Sequence, residues 1–204
     1  MTPPQMQDAE SRPARERVYA HVREQILREA FHRLEAERFI DLLPRRGALV
    51  RQVTAQELAD LYEARRMIEG YAVARICRER IVLPETMEGV LDRLDAIAGS
   101  DHFARVELNR EFHFGMVQAL GNEVLSELYQ SLGARQQRVA MRALAVDPGR
   151  IERIRVEHRD FIAALRAFDE GRARAVLDEH LRPVTGVVSR LPGYGPSGAS
   201  EEGG

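Results

Sequence analysis

The chain has 204 residues, of which 44% are hydrophobic and 30% are charged, and its formal net charge is −2. These values are typical of a globular protein, so they exclude a chain that is disordered throughout and one with a global basic field for nucleic acid. One cysteine and no apolar run of about 20 residues predict a cytoplasmic protein with no disulfide and no membrane partner.

The two ends of the chain are predicted to be disordered. Residues 1–14 form a polar leader with three prolines, and residues 191–204 form a tail rich in Gly, Ser and Glu. The folded part is therefore expected between residues 15 and 190.

Residues 15–53 are predicted to form one long helix followed by a β-hairpin. No Pro or Gly interrupts residues 15–39, where apolar side chains recur at four-residue steps from Val18 to Leu34. Two short apolar runs then flank residues 44–47, which predicts a hairpin with a basic tip. Residues 12–53 hold ten Arg against six acidic residues. Such an excess is typical either of a solvated helix or of phosphate contacts.

Residues 54–190 are predicted to form an antiparallel bundle of six helices, which makes the fold class all-α. Capping residues and first-turn prolines mark the helix starts. The expected starts lie at Thr54, Pro84, Ser100 or Asp101, Asn122, Asp147 and Asp169. The sixth helix is expected to run to about Arg190, with a kink at Pro183.

Three histidines on different helices of this bundle form a candidate metal site. His113, His158 and His180 lie on or beside apolar stripes, and Asn109 precedes His113 by one helical turn. Helical bundles hold metal ions with side chains from facing helices, and three imidazoles with one oxygen would leave positions open for a ligand. A histidine on an apolar face is more often an ordinary core residue, so both interpretations stay open at this point.

Arg65 shares a helix face with Leu61 and Ile68, which predicts that it is buried. A buried arginine needs an anionic partner. Glu69, one turn later, is one candidate, and the carboxylate of a ligand is the other, because the guanidinium group matches its geometry. The spacing does not decide between them.

The sequence lacks the motifs of common enzymes. We find no nucleotide-binding loop, no Cys-based zinc pattern and no metalloprotease helix motif. A metal-dependent hydrolase would also need a carboxylate as general base, and no residue suggests itself. An enzyme is therefore not expected, and hydrolysis stays a remote alternative.

Six stretches resemble the FadR-type branch of the GntR transcriptional regulators. These regulators join an N-terminal winged helix-turn-helix to a C-terminal helical effector domain, the FCD domain. The stretches are RERVYAHVREQIL, REAFHRLEAERFIDLLPRRGALVRQVTAQEL, LYEARRMIEGYAVA, LNREFHFGMVQALGN, VEHRDFIAAL and DEHL. The resemblance implies a DNA-binding region over 15–53, an FCD-like domain over 54–190 and a homodimer.

The resemblance also assigns roles to the candidate residues. It implies that a divalent metal, such as Zn, Ni or Mn, is bound by His113, His158, His180 and Asn109, the last standing where the family usually has Asp. It implies that Arg65 contacts the carboxylate of a small organic acid, the effector. Asn109 adds no charge to the metal site, so this departure bears on how tightly the metal is held.

The DNA-binding half departs further from the family. In the family, the second helix and the start of the recognition helix lie between the stretches that match residues 15–27 and 28–58. Here residue 27 is followed directly by residue 28, so these two parts are missing. The wing residues Arg45, Arg46 and Gly47 remain for DNA contact. Since the missing residues read bases, we expect weak or non-specific DNA binding and one continuous helix over 15–39. Its apolar stripe is expected to pack on the hairpin, on the bundle or on a second chain.

Two hypotheses follow for function. The first is a metabolite-responsive regulator that binds a small organic acid near a divalent metal and has impaired sequence-specific DNA binding. The alternative is a stand-alone metabolite sensor, or a dimerisation antagonist of an intact paralogue, that does not bind DNA.

Overall fold

The structure, a computed structural model, describes residues 14–97, 101–183 and 185–193. It divides into two compact units, of which the first ends at Arg51 and the second begins at Gln52. The expected disordered segments 1–14 and 191–204 lie mostly outside the described residues. Leu191 is described and buried, and the carbonyl of Pro192 accepts a hydrogen bond from the Ala55 N–H, so defined structure continues past the expected start of the tail. None of the described helices has a stretch long and apolar enough to cross a membrane.

The first unit consists of a long helix and a two-stranded hairpin in the described residues. Helix α1 spans Ala14–Ala36, and strands β1 (Ile40–Leu43) and β2 (Gly47–Val50) pair antiparallel. The continuous helix and the hairpin are confirmed. The helix ends before the expected residue 39, because Arg38 adopts a left-handed φ of 62° and the next N–H closes back on a carbonyl of the last turn.

The apolar stripe of α1 stays exposed within this unit. None of its residues is buried, and Val18 and Ile26 are 63% and 61% exposed. The hairpin contacts the C-terminal part of the helix, where Leu34 is less exposed. The hairpin therefore does not cover the stripe, contrary to one of the three expected packing arrangements.

The second unit is the helical bundle. Its helices are α2 (Ala55–Glu79), α3 (Thr86–Ala96), α4 (His102–Gln118), α5 (Glu123–Ser131), α6 (Gly133–Val146), α7 (Arg150–Arg166), α8 (Glu170–His180) and α9 (Thr185–Val188). The all-α fold class is thus correct, whereas the prediction of six helices is wrong in detail because two of the six are each divided into two.

Local backbone geometry explains these differences. The expected fourth helix breaks at Leu132, whose N–H bonds to the carbonyl three residues earlier instead of four. The expected sixth helix is interrupted. Its first part, α8, ends at His180, three residues before Pro183, which has no N–H to donate to a helical hydrogen bond. The fifth helix begins at Arg150 instead of Asp147, because the Asp147 N–H still bonds to Ala143 and ends α6.

The main core lies between α2, α3, α4, α7 and α8. Phe112, Met116 and Leu165 are among its fully buried side chains. A smaller apolar cluster joins the start of α2 to α6 and includes Leu61 and Val139. The main core adjoins the candidate metal site, because Phe112 of the core and His113 of the site are neighbours on α4.

Candidate metal centre

Three buried histidines from three helices meet in the bundle. His113 lies on α4, His158 on α7 and His180 on α8. The Nε2 atom of His113 lies 3.2 Å from Nε2 of His158 and 3.1 Å from Nε2 of His180. Nitrogen ligands about 2.0–2.1 Å from one zinc ion lie roughly 3.0–3.4 Å apart. The two distances from His113 therefore suit one divalent ion, and the candidate ligand atoms of all three histidines lie within 4.8 Å of one another.

Helix packing and aromatic contacts fix the positions of the imidazole rings. Helices α7 and α8 pack against each other, and Asp169 between them accepts a hydrogen bond from the Arg172 N–H and caps α8. The ring of Phe112 stacks on His158 with 4.5 Å between centroids. Because these rings are held by core packing, little side-chain freedom remains to be lost when an ion binds.

A carboxylate lies behind each of two of the histidines. Glu157 Oε2 is hydrogen-bonded to Nδ1 of His180 at 2.8 Å, and Glu69 Oε2 lies 2.9 Å from Nδ1 of His113 in a contact that lacks hydrogen-bond geometry. A carboxylate that accepts the Nδ1 proton leaves the Nε2 lone pair free for a metal ion. From the sequence, Glu69 was considered only as a partner of Arg65, and Glu157 was not identified. Residue spacing within one helix does not predict these contacts, because each of them joins two helices.

Glu69 also binds the arginine that was singled out in the sequence. Its Oε1 accepts a hydrogen bond of 2.6 Å from Arg65 Nε and one of 2.7 Å from the Tyr129 hydroxyl. Glu69 is completely buried, and Arg65 is 6% exposed. The ion pair is therefore present. It does not occupy the whole guanidinium group, because Arg65 Nη2 has no hydrogen-bond partner among the described residues.

Burial and neighbouring charges set the protonation of this network. Burial alone would raise the pKa of Glu69, but Arg65, followed by His113, outweighs it and holds this pKa far below its ordinary value. Burial, reinforced by Glu69, raises the pKa of the Tyr129 hydroxyl. Glu69 is thus an anion at neutral pH, and Tyr129 remains a neutral hydrogen-bond donor.

The three histidines are held in the neutral form. Burial lowers the pKa of His113, and Glu69 only partly opposes it. Burial also lowers the pKa of His158 and of His180 well below the ordinary value, with further lowering from neighbouring histidines. Neutral imidazole is the form that binds metal ions.

Asn109 is the further residue that the sequence placed at the candidate metal site. It lies one turn before His113 on α4, and its Oδ1 is buried without a hydrogen-bond partner among the described residues. Its side chain lines the same cavity as His180 and Arg65. A buried amide oxygen without a partner is costly, and coordination of a metal ion would satisfy it. The residues present thus fit a divalent ion.

The cavity beside these residues is small and positively charged at one side. Its volume is about 60 Å³, which exceeds the roughly 10–15 Å³ that one water molecule needs. Arg65, Arg105 and Arg150 line it, and none of its described lining residues is acidic. Much of the remaining wall is aliphatic, including Leu94 and Ile154. Such a cavity favours a small anion.

The residues expected to contact DNA lie in the other unit, on the turn of the hairpin. Arg45 and Arg46 are exposed, and Arg45 and Gly47 have positive φ values of 61° and 99°. Glycine adopts this region readily, whereas it costs an arginine roughly 1–2 kcal/mol. Residues 14–51 contain α1 and the hairpin, with no second helix before the wing.

Comparison with known sequences identifies related proteins. The family model described as "FCD domain" matches residues 60–183. The HTH-type transcriptional repressor GlaR of Escherichia coli K12 is 27% identical over 173 residues, which is 80% of this chain and 79% of GlaR. The Nta operon transcriptional regulator of Aminobacter aminovorans is 30% identical over 115 residues, which is 53% of this chain and 52% of that protein.

Comparison with solved structures gives the same fold. A putative transcriptional regulator GntR from Rhodococcus sp. RHA1 matches with a TM-score of 0.65 at 22% identity, and the match covers 84% of this chain and 83% of the Rhodococcus chain. McbR/YncC of E. coli has a TM-score of 0.62 at 23% identity, over 76% of this chain and 78% of its own.

Proposed function

Since the chain belongs to the FCD-domain family and is a transcriptional regulator of the GntR family, we propose that its helical unit senses a small organic acid beside a divalent metal ion. The related proteins are regulators, and the chain is not an enzyme. GntR regulators bind DNA and typically act as dimers. For this chain we propose a cytoplasmic homodimer.

The observation that carries the proposal is the meeting of His113, His158 and His180 through their Nε2 atoms. The buried amide oxygen of Asn109 completes a set of four donors. The bound ion would supply positive charge and an open position for a ligand oxygen. Zn, Ni and Mn are all compatible with imidazole and oxygen donors.

The cavity beside the histidines supports a carboxylate as effector. Arg65 is one of its lining residues, and Arg65 Nη2 is buried with no hydrogen-bond partner among the described residues. Its ion pair with Glu69 fixes the side chain, so that the remaining N–H groups are oriented in advance. Guanidinium groups bind carboxylates with matched geometry, and an oriented donor loses less entropy on binding.

The first unit supports DNA binding of low specificity. The exposed Arg45 and Arg46 on the hairpin turn suit contacts to phosphates, which are independent of base sequence. A helix-turn-helix reads bases with the start of its second helix, and residues 14–51 contain one helix before the hairpin. The same observation favours the alternative function, a sensor or dimerisation antagonist that does not bind DNA.

Thermal unfolding with and without ligands tests the sensor. We expect metal-loaded protein, purified without an affinity tag, to be stabilised by small mono- or dicarboxylates of two to six carbons. A ligand at 100 times its dissociation constant adds about 2.7 kcal/mol, which raises the melting midpoint by roughly 5–10 °C in a domain of this size. The Arg65→Lys variant keeps the charge beside Glu69 but loses the planar fork, so its shift should be smaller.

The controls separate the effector site from general effects of charge. Arg75→Lys changes another arginine of α2, one that is paired with Glu79 near the surface, and should keep the full shift. Elemental analysis of His158→Ala/His180→Ala should show loss of the metal. The proposal is wrong if this variant keeps its metal, or if no acid of the panel moves the midpoint of the metal-loaded protein.

A further inference from the structure

The side chains that would hold the metal carry no formal charge of their own. His113, His158 and His180 are neutral imidazoles, and Asn109 contributes an amide oxygen. A divalent ion in such a set keeps its full positive charge inside the protein. Buried charges are stable only when they are paired. Negative charge from another source would therefore strengthen binding of the ion at this centre.

The nearby carboxylates do not provide that charge in full. Glu69 contacts His113, but Arg65 lies 2.6 Å from its other oxygen and compensates its charge. Glu157 stands behind His180, on the Nδ1 side of the ring. Neither glutamate lines the cavity that reaches Asn109 and His180.

The cavity side of the centre adds more positive charge. Arg105 and Arg150 line the cavity together with Arg65, and none of its described lining residues is acidic. Arg150 is held there by a 2.7 Å hydrogen bond from its Nη2 to the carbonyl of His180. Since Arg65 is already paired with Glu69, the positive charge that Arg150 holds beside His180 is the one on this side that would oppose the binding of a metal ion.

We propose that the metal ion and the effector carboxylate bind to this centre as a pair, and that the neutral Asn109 makes retention of the ion depend on the carboxylate. The inference rests on the metal and effector sites proposed above. A carboxylate in this cavity supplies negative charge to the ion and to the guanidinium groups at once. The binding equilibria of the two ligands are then coupled, and each raises the affinity for the other by the same factor. The regulator responds to the joint presence of metal and acid.

Metal affinity measured with and without a simple carboxylate tests the coupling. Untagged protein competes for Zn²⁺ with a chromophoric chelator in acetate, in succinate and in perchlorate at equal ionic strength. The carboxylate group is the proposed partner, so both acids should act, and perchlorate should not. We expect the affinity of the wild-type protein for Zn²⁺ to rise about 10- to 100-fold with acid, within the usual range of coupling between sites.

Three variants identify the origin of the coupling. Asn109→Asp places a negative charge at the centre, so it should bind Zn²⁺ tightly without acid and lose most of the coupling. Asn109→Ala stays neutral and should bind more weakly but keep the coupling. Asn122→Asp is the matched control, because Asn122 caps α5 from an exposed position and Asp caps equally well. It adds the same charge elsewhere and should behave as the wild type.

The outcomes separate this inference from the proposed function. Tight Zn²⁺ binding by the wild type that is equal in acetate and perchlorate overturns the inference and leaves the metal site in place. No Zn²⁺ binding by the wild type or by Asn109→Asp in any buffer overturns both. If Asn109→Asp fails to fold by circular dichroism, the comparison of buffers with the wild type decides alone.

Discussion

Glu69 contacts three other side chains of the candidate site. Its two oxygens meet Arg65, Tyr129 and His113, and no part of it reaches solvent. Removing one member of a buried ion pair leaves the other charge without compensation, which is far more costly than losing a surface pair. The carboxylate therefore connects α2 to a histidine of the candidate metal centre.

We predict that Glu69→Ala lowers the free energy of unfolding by about 3–5 kcal/mol. The loss arises because Arg65 stays buried without its anion, and Tyr129 loses its acceptor. Urea unfolding of the metal-free protein, followed by circular dichroism, measures the change. Glu79→Ala is the matched control, since Glu79 pairs with Arg75 at the same spacing on α2 but near the surface.

The control should lose no more than about 1 kcal/mol, the usual upper value for an exposed ion pair. Equal losses in the two variants would show that the buried network does not stabilise the bundle. A small loss in Glu69→Ala together with an intact fold would show that Arg65 finds another anion or reaches solvent.

At this scale the sequence predicted the donors better than their orientation. Helical spacing placed Asn109 one turn from His113 and gave Glu69 as one of two candidate partners of Arg65, because both relations lie within one helix. The contact of Glu157 with His180 joins two helices, and it depends on how α7 and α8 pack. Periodicity places residues on a helix face and does not place one helix face against another.

At the scale of helices, side-chain caps were the most reliable guide. Thr54, Asp101, Asn122 and Asp169 each accept a hydrogen bond from a backbone N–H in the first turn of the helix that follows. Asp147 was expected to do the same and instead ends α6. Its sequence context, Asp followed by Pro, suits a helix start, but the preceding helix still holds its N–H.

The three imidazoles where α4, α7 and α8 meet make the stability of the protein depend on pH. Burial lowers the pKa of His113, His158 and His180 below the ordinary value of about 6.5. As the pH falls below about 6.5, the unfolded chain takes up protons that the folded chain does not. The unfolded state then binds more protons, so the free energy of unfolding must fall.

We predict that the metal-free protein loses stability as the pH falls from about 7.5 to 5.5, by up to about 1.4 kcal/mol per pH unit for each histidine. Urea unfolding at several pH values measures the slope. His158→Gln should reduce the slope, whatever its effect on absolute stability. His32→Gln, at an exposed position of α1, should leave the slope unchanged. A wild-type slope of zero over this range would contradict neutral histidines.

At the scale of the whole chain, the two units differ in the extent of their buried core. The helical unit has two apolar clusters and buried ionic networks. The first unit has one helix and one hairpin among residues 14–51, and its helix has no buried residue. The sequence predicted the helical bundle, and it predicted one long helix with a hairpin in the first unit, because the family resemblance is interrupted there. It did not predict that this helix has no buried residue. We therefore expect sensing and DNA recognition to be affected unequally.

We predict DNA binding that is weak, sensitive to salt and indifferent to base sequence. Phosphate contacts alone give dissociation constants of roughly 10⁻⁴–10⁻⁶ M at physiological salt, whereas discrimination needs base contacts worth about 1–3 kcal/mol each. Fluorescence anisotropy with a promoter duplex, and with random duplex as competitor, measures both properties. Arg45→Ala/Arg46→Ala should weaken binding to all sequences and reduce the slope of log K against log salt by about two.

The matched control removes two exposed arginines from the helical unit instead. Arg182→Ala/Arg190→Ala lowers the net charge by the same amount and should leave the salt slope unchanged, because neither residue lies on the hairpin. Nanomolar binding that survives excess random duplex at about 150 mM salt would contradict the prediction. It would mean that the shortened first unit still reads bases, or that a partner chain supplies the helix that does so.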